Sequence, residues 1–254
     1  MIRVGIIGAA GRMGRTVAAA VALDPELSLV AAVDPAGAGT LIEGVEANAS
    51  LDALTSAGAD VAVDFTHPKT VMDNVRWCVG HRVHAVVGTT GITSADLEEI
   101  RTLTESDGAN VVVAPNFAIG AVLMMRFAEQ AARYLPAAEI VELHHDGKAD
   151  APSGTAIATA GRIAAARGAD APEAAGGDDA HPGARGADVG GIRIHSVRLP
   201  GLIAHQEVML GGPGQTLTIR HDSTDRASFI PGVMLAIKAV STRPGLTVGI
   251  EPLL

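Results

Sequence analysis

"GIIGAAGRMGRTVAAAV", Gly5 to Val21, is the stretch that decides the fold. An apolar run, Ile2–Ile7, breaks at Gly8. An alanine-rich stretch follows, and its pattern predicts a helix from about Met13 to Leu23, stopped by Asp24-Pro25. Gly8, Gly11 and Gly14 form a GxxGxxG turn between the two. Such a turn is tight, lets the backbone approach a pyrophosphate and aims the positive end of a helix at it. Glycines alone specify little. These ones follow a strand and open a helix, and Asp34, twenty residues after Gly14, ends the next apolar run, Leu27–Val33. A carboxylate there can accept hydrogen bonds from the adenosine ribose hydroxyls.

Asp34 also bears on which dinucleotide binds. A carboxylate repels a 2′-phosphate, and Pro35, Ala36 and Gly37 supply no cation to offset it, although Arg12 or Arg15 in the loop could. NADH is therefore the expected cofactor, with NADPH tolerated. Gly88-Thr89-Thr90-Gly91 and Ala114-Pro115-Asn116-Phe117 each follow a strand pattern. They either line the same crevice or are ordinary strand-end turns.

Further out, Val61–Phe65, Ala85–Val87 and Val111–Ala114 read as strands, with helices near Thr70–Val79 and Ser94–Ser106. That alternation implies a parallel sheet with right-handed crossovers. After Gly120 the pattern changes to a helix reaching about Leu135, a strand over Glu139–His144 and a helix ending near Arg167. A Gly/Ala/Asp-rich segment to about Gly191 reads as a surface loop. Strand-like runs follow at Ile192–Val197, Ala204–Leu210 and Thr216–His221, expected to be antiparallel. A last helix near Ser228–Val240 and a short tail could return to the first domain. The expected fold is α/β: a Rossmann-like dinucleotide-binding domain (1–117 plus 226–254) and a second α+β domain (118–225) for substrate binding and oligomerisation.

Composition narrows the function. Nineteen Lys and Arg against 28 Asp and Glu leave a net charge of −9, and no basic cluster occurs, which argues against nucleic acid. The single cysteine, Cys78, excludes an intramolecular disulfide framework and fits a reducing compartment. Neither a leader pattern nor a membrane-length apolar run is present, so no membrane association and a cytoplasmic location are expected.

The densest chemistry lies in "ELHHDGKADAPSGTA", Glu142–Ala156. Side chains alternate along a strand, so His144 and His145 point differently unless the strand ends between them. A histidine exchanges protons near neutrality, and Lys148 supplies a fixed cation or, if burial lowers its pKa, a proton. Pro152-Ser153-Gly154-Thr155 opens a helix whose first-turn N–H groups lack intrahelical partners and favour an anion. The block thus combines a proton carrier, a cation and an anion cradle; the plainer reading is an N-cap beside two half-buried histidines. Adjacent strand histidines do not converge on a metal, so no metal is expected. His67 fits a cofactor-side loop or a structural turn. His81, His84 and His181 read as surface residues, and His195, His205 and His221 as core or interface packing. Trp77 and Cys78 read as helix packing.

The motifs "GAAGRMG", "DFTHP", "GTTG", "APNFAIG", "ELHHDGKADAPSGTA" and "IHSVRLPG", in this order over most of the chain, resemble the dihydrodipicolinate reductase family of lysine and diaminopimelate biosynthesis. "AHQEVML" and "PGLTVGIEPLL" look most like actinobacterial members. The resemblance implies NAD(P)H-dependent reduction of 4-hydroxy-tetrahydrodipicolinate, a small cyclic dicarboxylate, in a homotetramer. It implies His144 as proton donor and Lys148 as a second proton-donating or charge-stabilising residue. His145, Gly154 and Thr155 match substrate-binding positions, with Ser153 added. Cofactor contacts would fall on Gly8, Ala9, Ala10, Gly11, Arg12, Met13, Asp34, Gly88, Thr89, Thr90, Ala114, Pro115, Asn116 and Phe117. Where some relatives carry a basic residue after the ribose-binding acid, this chain has Pro35.

Two other readings follow from the same residues. One is another nicotinamide oxidoreductase of two-domain build, such as an aspartate or sugar dehydrogenase. The other is a dinucleotide sensor without turnover, which would need neither His144 nor Lys148.

Overall fold

The computed structural model describes residues 1–168 and 180–254, and of Ser106 and Asp107 the backbone only. The chain divides into two compact units, Met1–Ile119 with Arg226–Leu254, and Gly120–Asp225.

The first unit begins with β1 (Ile2–Ile7), α1 (Arg12–Leu23), β2 (Leu27–Val33), β3 (Leu41–Ile42), β4 (Val45–Asn48) and α2 (Asp52–Ser56). It continues through β5 (Val61–Asp64), α3 (Val71–Gly80), β6 (His84–Val87), α4 (Ser94–Asp107) and β7 (Val111–Val113). The second unit holds most of α5 (Ile119–Ala132), then β8 (Ala137–His144), α6 (Gly154–Ala166), β9 (Ala187–Val189), β10 (Ile192–Arg198), β11 (Ala204–Gly212) and β12 (Gln215–Ser223). The chain then completes the first unit with α7 (Ile230–Ala239) and β13 (Leu246–Val248).

In the first unit the sheet order is β13-β7-β6-β5-β1-β2-β4-β3, parallel except for the β3/β4 pair. All four residues of β5 and all three of β7 are buried, as continuous apolar strands covered on both faces should be. β1 pairs with β2 on one side and β5 on the other, which makes the carboxyl end of β1 the topological switch point. Helix α1 buries Gly14, Val17, Ala18 and Val21, one stripe at helical spacing. The tail supplies β13, which extends the sheet beside β7.

The second unit is built on the sheet β12-β11-β8-β10-β9. The three C-terminal runs were expected to be antiparallel; β10 instead runs parallel to β8, because α6 carries the chain back across the sheet as a crossover. β11 and β12 are antiparallel as expected. Helix α6 buries Ala156, Thr159, Ala160 and Ile163, and it packs on β8 and β10, whose Ile140, Ile192 and Ile194 are enclosed. Of the surface loop expected beyond Arg167, residues 169–179 lie outside the described residues, and its described end forms β9 against β10. Pairing three residues against an existing edge needs no periodic signal, so the sequence carries none.

Candidate active site

The glycine turn is shaped by close contacts. Gly8 has a φ of +80°, and a Cβ on it would stand 2.5 Å from the carbonyl oxygen of Phe65. A Cβ on Gly14 would stand 2.1 Å from the Gly8 oxygen, so the helix can close on the turn only as glycine. Gly11 is the N-cap of α1, with no side-chain cap and no acid in the first turn. The first-turn N–H groups are therefore left to an outside acceptor. Ala9 is buried, while Arg12 is exposed.

Beyond the turn lies a cavity of about 570 Å³ at the switch point, reached by Gly8, Gly11, Asp34, Thr66, His67 and Asn74. Its lining contains no Lys or Arg. Asp34 takes the Ala10 N–H on Oδ2 (3.0 Å) and the Ala36 and Gly37 N–H groups on Oδ1 (both 3.1 Å). Its carboxylate is thus fixed at the cavity wall with acceptor capacity left on Oδ2. An uncapped helix start, a carboxylate at the end of β2 and a glycine turn without room for side chains fit a nicotinamide dinucleotide.

The other expected cofactor positions divide. Gly88 packs against the Phe65 ring, where a Cβ would stand 2.2 Å away. Thr89 is buried and spends its hydroxyl inside the protein, while Thr90 is exposed. Ala114 and Phe117 are core residues, Phe117 with its ring 6.0 Å from that of Phe65. Asn116 accepts the Ala118 N–H at 2.8 Å, and Pro115 is exposed. Cys78 is buried, which pushes its thiol up to about 12 and removes it as a nucleophile. His84, expected at the surface, is half-buried and accepts the Asn110 N–H at 2.9 Å.

In the second unit β8 ends at His144, between the two histidines, because the chain turns there. His145 is exposed, and its carbonyl accepts the Lys148 N–H at 3.2 Å. His144 is half-buried with Nδ1 2.5 Å from Glu142 Oε2. Its Nε2 has no hydrogen-bond partner among the described residues. Burial, helped by the Lys148 and Arg198 charges, lowers its pKa against the opposing pull of Glu142. Lys148 pairs with Asp150 at 2.7 Å.

Ser153 caps α6, accepting the Ala156 N–H at 3.2 Å. Gly154 begins the helix in open space, with no neighbour within 4 Å of a Cβ built on it. Thr155 follows in the first turn, half-buried, and its carbonyl accepts the Thr159 hydroxyl at 2.7 Å.

Two charged residues that sequence reasoning left without a role stand at the centre. Glu142 is fully buried and forms a two-pronged ion pair with Arg198, at 2.8 and 2.9 Å. Its place two positions before His144, on the same face of a strand, was a legible signal. Arg198 was not legible, because only the β8/β10 register sets it beside His144. Among the described residues no group of His, Cys, Asp and Glu could hold a metal ion.

Comparison with known proteins matches this chain along its whole length. Residues 2–117 match the family model described as dihydrodipicolinate reductase, N-terminus, and residues 120–254 match the one described as its C-terminus. A 4-hydroxy-tetrahydrodipicolinate reductase of Nocardia farcinica is 54% identical over 258 residues, covering 100% of this chain and 98% of that protein. One of Mycolicibacterium vanbaalenii is 52% identical over 254 residues, covering 100% and 99%. Among solved structures, a dipicolinate-bound dihydrodipicolinate reductase from Paenisporosarcina sp. TG-14 superposes with a TM-score of 0.89 at 43% identity, covering all of both chains. With both halves matched and identity above one half across the full length, the chain belongs to the dihydrodipicolinate reductase family.

Proposed function

We propose that this chain catalyses the NAD(P)H-dependent reduction of 4-hydroxy-tetrahydrodipicolinate to tetrahydrodipicolinate, in lysine and diaminopimelate biosynthesis. The first unit is assigned to the cofactor and the second to the cyclic dicarboxylate. A bound nicotinamide would supply the hydride taken up at ring carbon C4, and the 4-hydroxyl leaves as water, so one hydride and one proton are consumed overall. The rest of the chemistry falls to side chains of the second unit.

His144 is the proton donor in this reading, delivering from Nε2 to the neighbouring carbon or the ring nitrogen. Lys148 supplies positive charge beside the developing anion, balanced at rest by Asp150. One substrate carboxylate is received by the start of α6 at Gly154 and Thr155, with Ser153 and His145 alongside. The observation that carries the reading is Gly154. Its backbone is ordinary and nothing among the described residues comes within 4 Å of a Cβ placed on it. A glycine without an internal reason, at an anion-favouring helix start, fits close approach of a ligand. The dipicolinate bound by the Paenisporosarcina reductase supports a ring diacid as that ligand.

NADH is the proposed preferred cofactor. Asp34 faces the cavity without a cation beside it, and a 2′-phosphate there would meet an unscreened carboxylate. The proposed assembly is a homotetramer formed through the second sheet. Val141, Leu143, Val197 and Met209 alternate with the residues facing α6 and are only half-buried. A cytoplasmic setting is supported by the buried single cysteine; among the described residues no helix is long and apolar enough to cross a membrane.

The test is NADH oxidation with substrate freshly made by the upstream synthase, comparing the wild type with His144→Ala and repeating with NADPH. The expected result is turnover that falls by roughly 10²- to 10⁴-fold in the variant while NADH still binds. No turnover with either cofactor, in a wild-type protein that binds NADH, would overturn the assignment.

A further inference from the structure

Glu142 carries more than an ion pair. Its Oε1 accepts from Arg198 Nη2 (2.8 Å) and from the backbone N–H of Ser153 (3.2 Å). Its Oε2 accepts from Arg198 Nη1 (2.9 Å) and from His144 Nδ1 (2.5 Å). Arg198 is held in turn, donating to the carbonyls of Val197 (2.8 Å) and Asp150 (2.6 Å). Enclosing such a pair costs desolvation on both sides, and an apolar pair of similar volume is often as stable, so stability alone does not account for it. Two of its other contacts do. One is the ring of the proposed proton donor; the other is the residue that caps the helix proposed to receive the substrate carboxylate.

We propose that Glu142 and Arg198 are positioning residues: the carboxylate fixes the His144 ring through Nδ1 and locks the start of α6 to it, while the guanidinium neutralises that carboxylate. The inference rests on the reading of His144 as proton donor. An ionised carboxylate only accepts, so Nδ1 keeps its hydrogen in both charge states of the ring. The exchanging proton is therefore on Nε2, the nitrogen left without a partner. Burial alone would raise the Glu142 pKa, but hydrogen bonds from Arg198, Ser196 and His144 outweigh it and keep the acid ionised.

The charges that face the ring are few. Glu142 lies on its own strand and Arg198 on β10, directly across the register from His144. Lys148 and Asp150 stand in the following loop. β11 places uncharged Ala204 opposite His144 and Gln206 opposite Glu142, and the first two turns of α6, Gly154–Gly161, contain no charge. Removing the carboxylate therefore takes away the main attraction for the ring's second proton, and removing the guanidinium takes away a repulsion.

The experiment compares Glu142→Gln, Arg198→Gln and the double variant with the wild type. Ring-nitrogen chemical shifts of His144 are followed against pH, together with the pH profile of kcat/KM. The ring should take its second proton at lower pH in Glu142→Gln, at higher pH in Arg198→Gln, and between the two in the double variant. In Glu142→Gln and in the double variant kcat should fall on the order of tenfold or more, because a glutamine amide can donate as well as accept and so permits both tautomers. Single midpoints that coincide, or that move the same way, would overturn the proposal. Each single substitution strands a charge, the buried Glu142 or the half-buried Arg198, so either could fail to fold. The double variant strands none, and a double variant with wild-type kcat and Nδ1 still uniformly protonated would overturn the proposal by itself. His144→Ala with full turnover would instead sink the proton-donor reading and leave the order of midpoints untouched.

Discussion

The hydroxyl of Thr89 donates to Oδ1 of Asp64 at 2.6 Å, joining the turn after β6 to the end of β5. Asp64 is nearly enclosed and also accepts from the Thr66 N–H (3.0 Å), the Thr66 hydroxyl (2.7 Å) and Asn74 Nδ2 (2.7 Å). Thr66 and Asn74 line the cavity proposed for the cofactor, so this carboxylate holds part of its wall. Asp64→Asn would turn an NH₂ group towards at least one of these donors. A loss of about 1–3 kcal/mol in stability is expected, with weaker NADH binding, checked by denaturant unfolding and cofactor titration.

Two glycines should respond to alanine in opposite ways. At Gly14 the new methyl would collide with the Gly8 carbonyl at 2.1 Å, so Gly14→Ala should abolish cofactor binding and destabilise by about 1–3 kcal/mol. At Gly154 the methyl meets nothing among the described residues within 4 Å. Gly154→Ala should keep or raise stability, by up to about 1 kcal/mol, yet raise the KM for substrate. Thermal unfolding set beside steady-state kinetics separates the two effects.

Cofactor choice should turn on Asp34. Asp34→Asn removes the charge that a 2′-phosphate would meet, but its amide cannot accept from Ala10 on one side and from Ala36 and Gly37 on the other. NADH should bind more weakly while the ratio of kcat/KM for NADPH over NADH rises. An unchanged ratio would show that selection lies elsewhere in the cavity.

Acid should weaken the protein in two stages. His84, His144 and His221 each have a pKa below the ordinary 6.5, chiefly through burial. The unfolded chain therefore binds more protons than the folded one once pH drops below about 6.5, and stability falls through that window down to the folded pKa values. Glu142 has its pKa lowered by its donors, so its contribution is present above its unfolded pKa and lost as pH falls through the folded one, a second and more acidic loss. A urea midpoint lower at pH about 5.5 than at about 7.5 is expected, and replacing His221 by Gln should flatten part of that slope.

The first unit was legible because its information is local. Strands buried on both faces are continuous apolar runs, and a turn that must touch a helix start declares itself in glycines. Leu27–Val33 is the same strand in the sequence and in the structure, and Asp34 is where the run ends. β3, β4, β9 and β13 escaped, since they lack the continuous apolar run that marks the equally short β5, β6 and β7, and their pairing depends on strands already in place. The block Glu142–Ala156 was legible for the same reason of nearness, with His144, Lys148 and the start of α6 all within a dozen positions. What only the tertiary structure decided is how that block is held. Arg198 lies 56 positions from Glu142, and the parallel register of β8 and β10, imposed by the crossover through α6, brings the guanidinium onto the carboxylate. A hydrogen bond between strands depends on register, and register is set by the packing of the whole sheet. The sequence by itself therefore determined which chemistry-bearing residues lie together in this protein, and the fold decided which nitrogen of His144 is tied to Glu142 and which is left without a partner among the described residues.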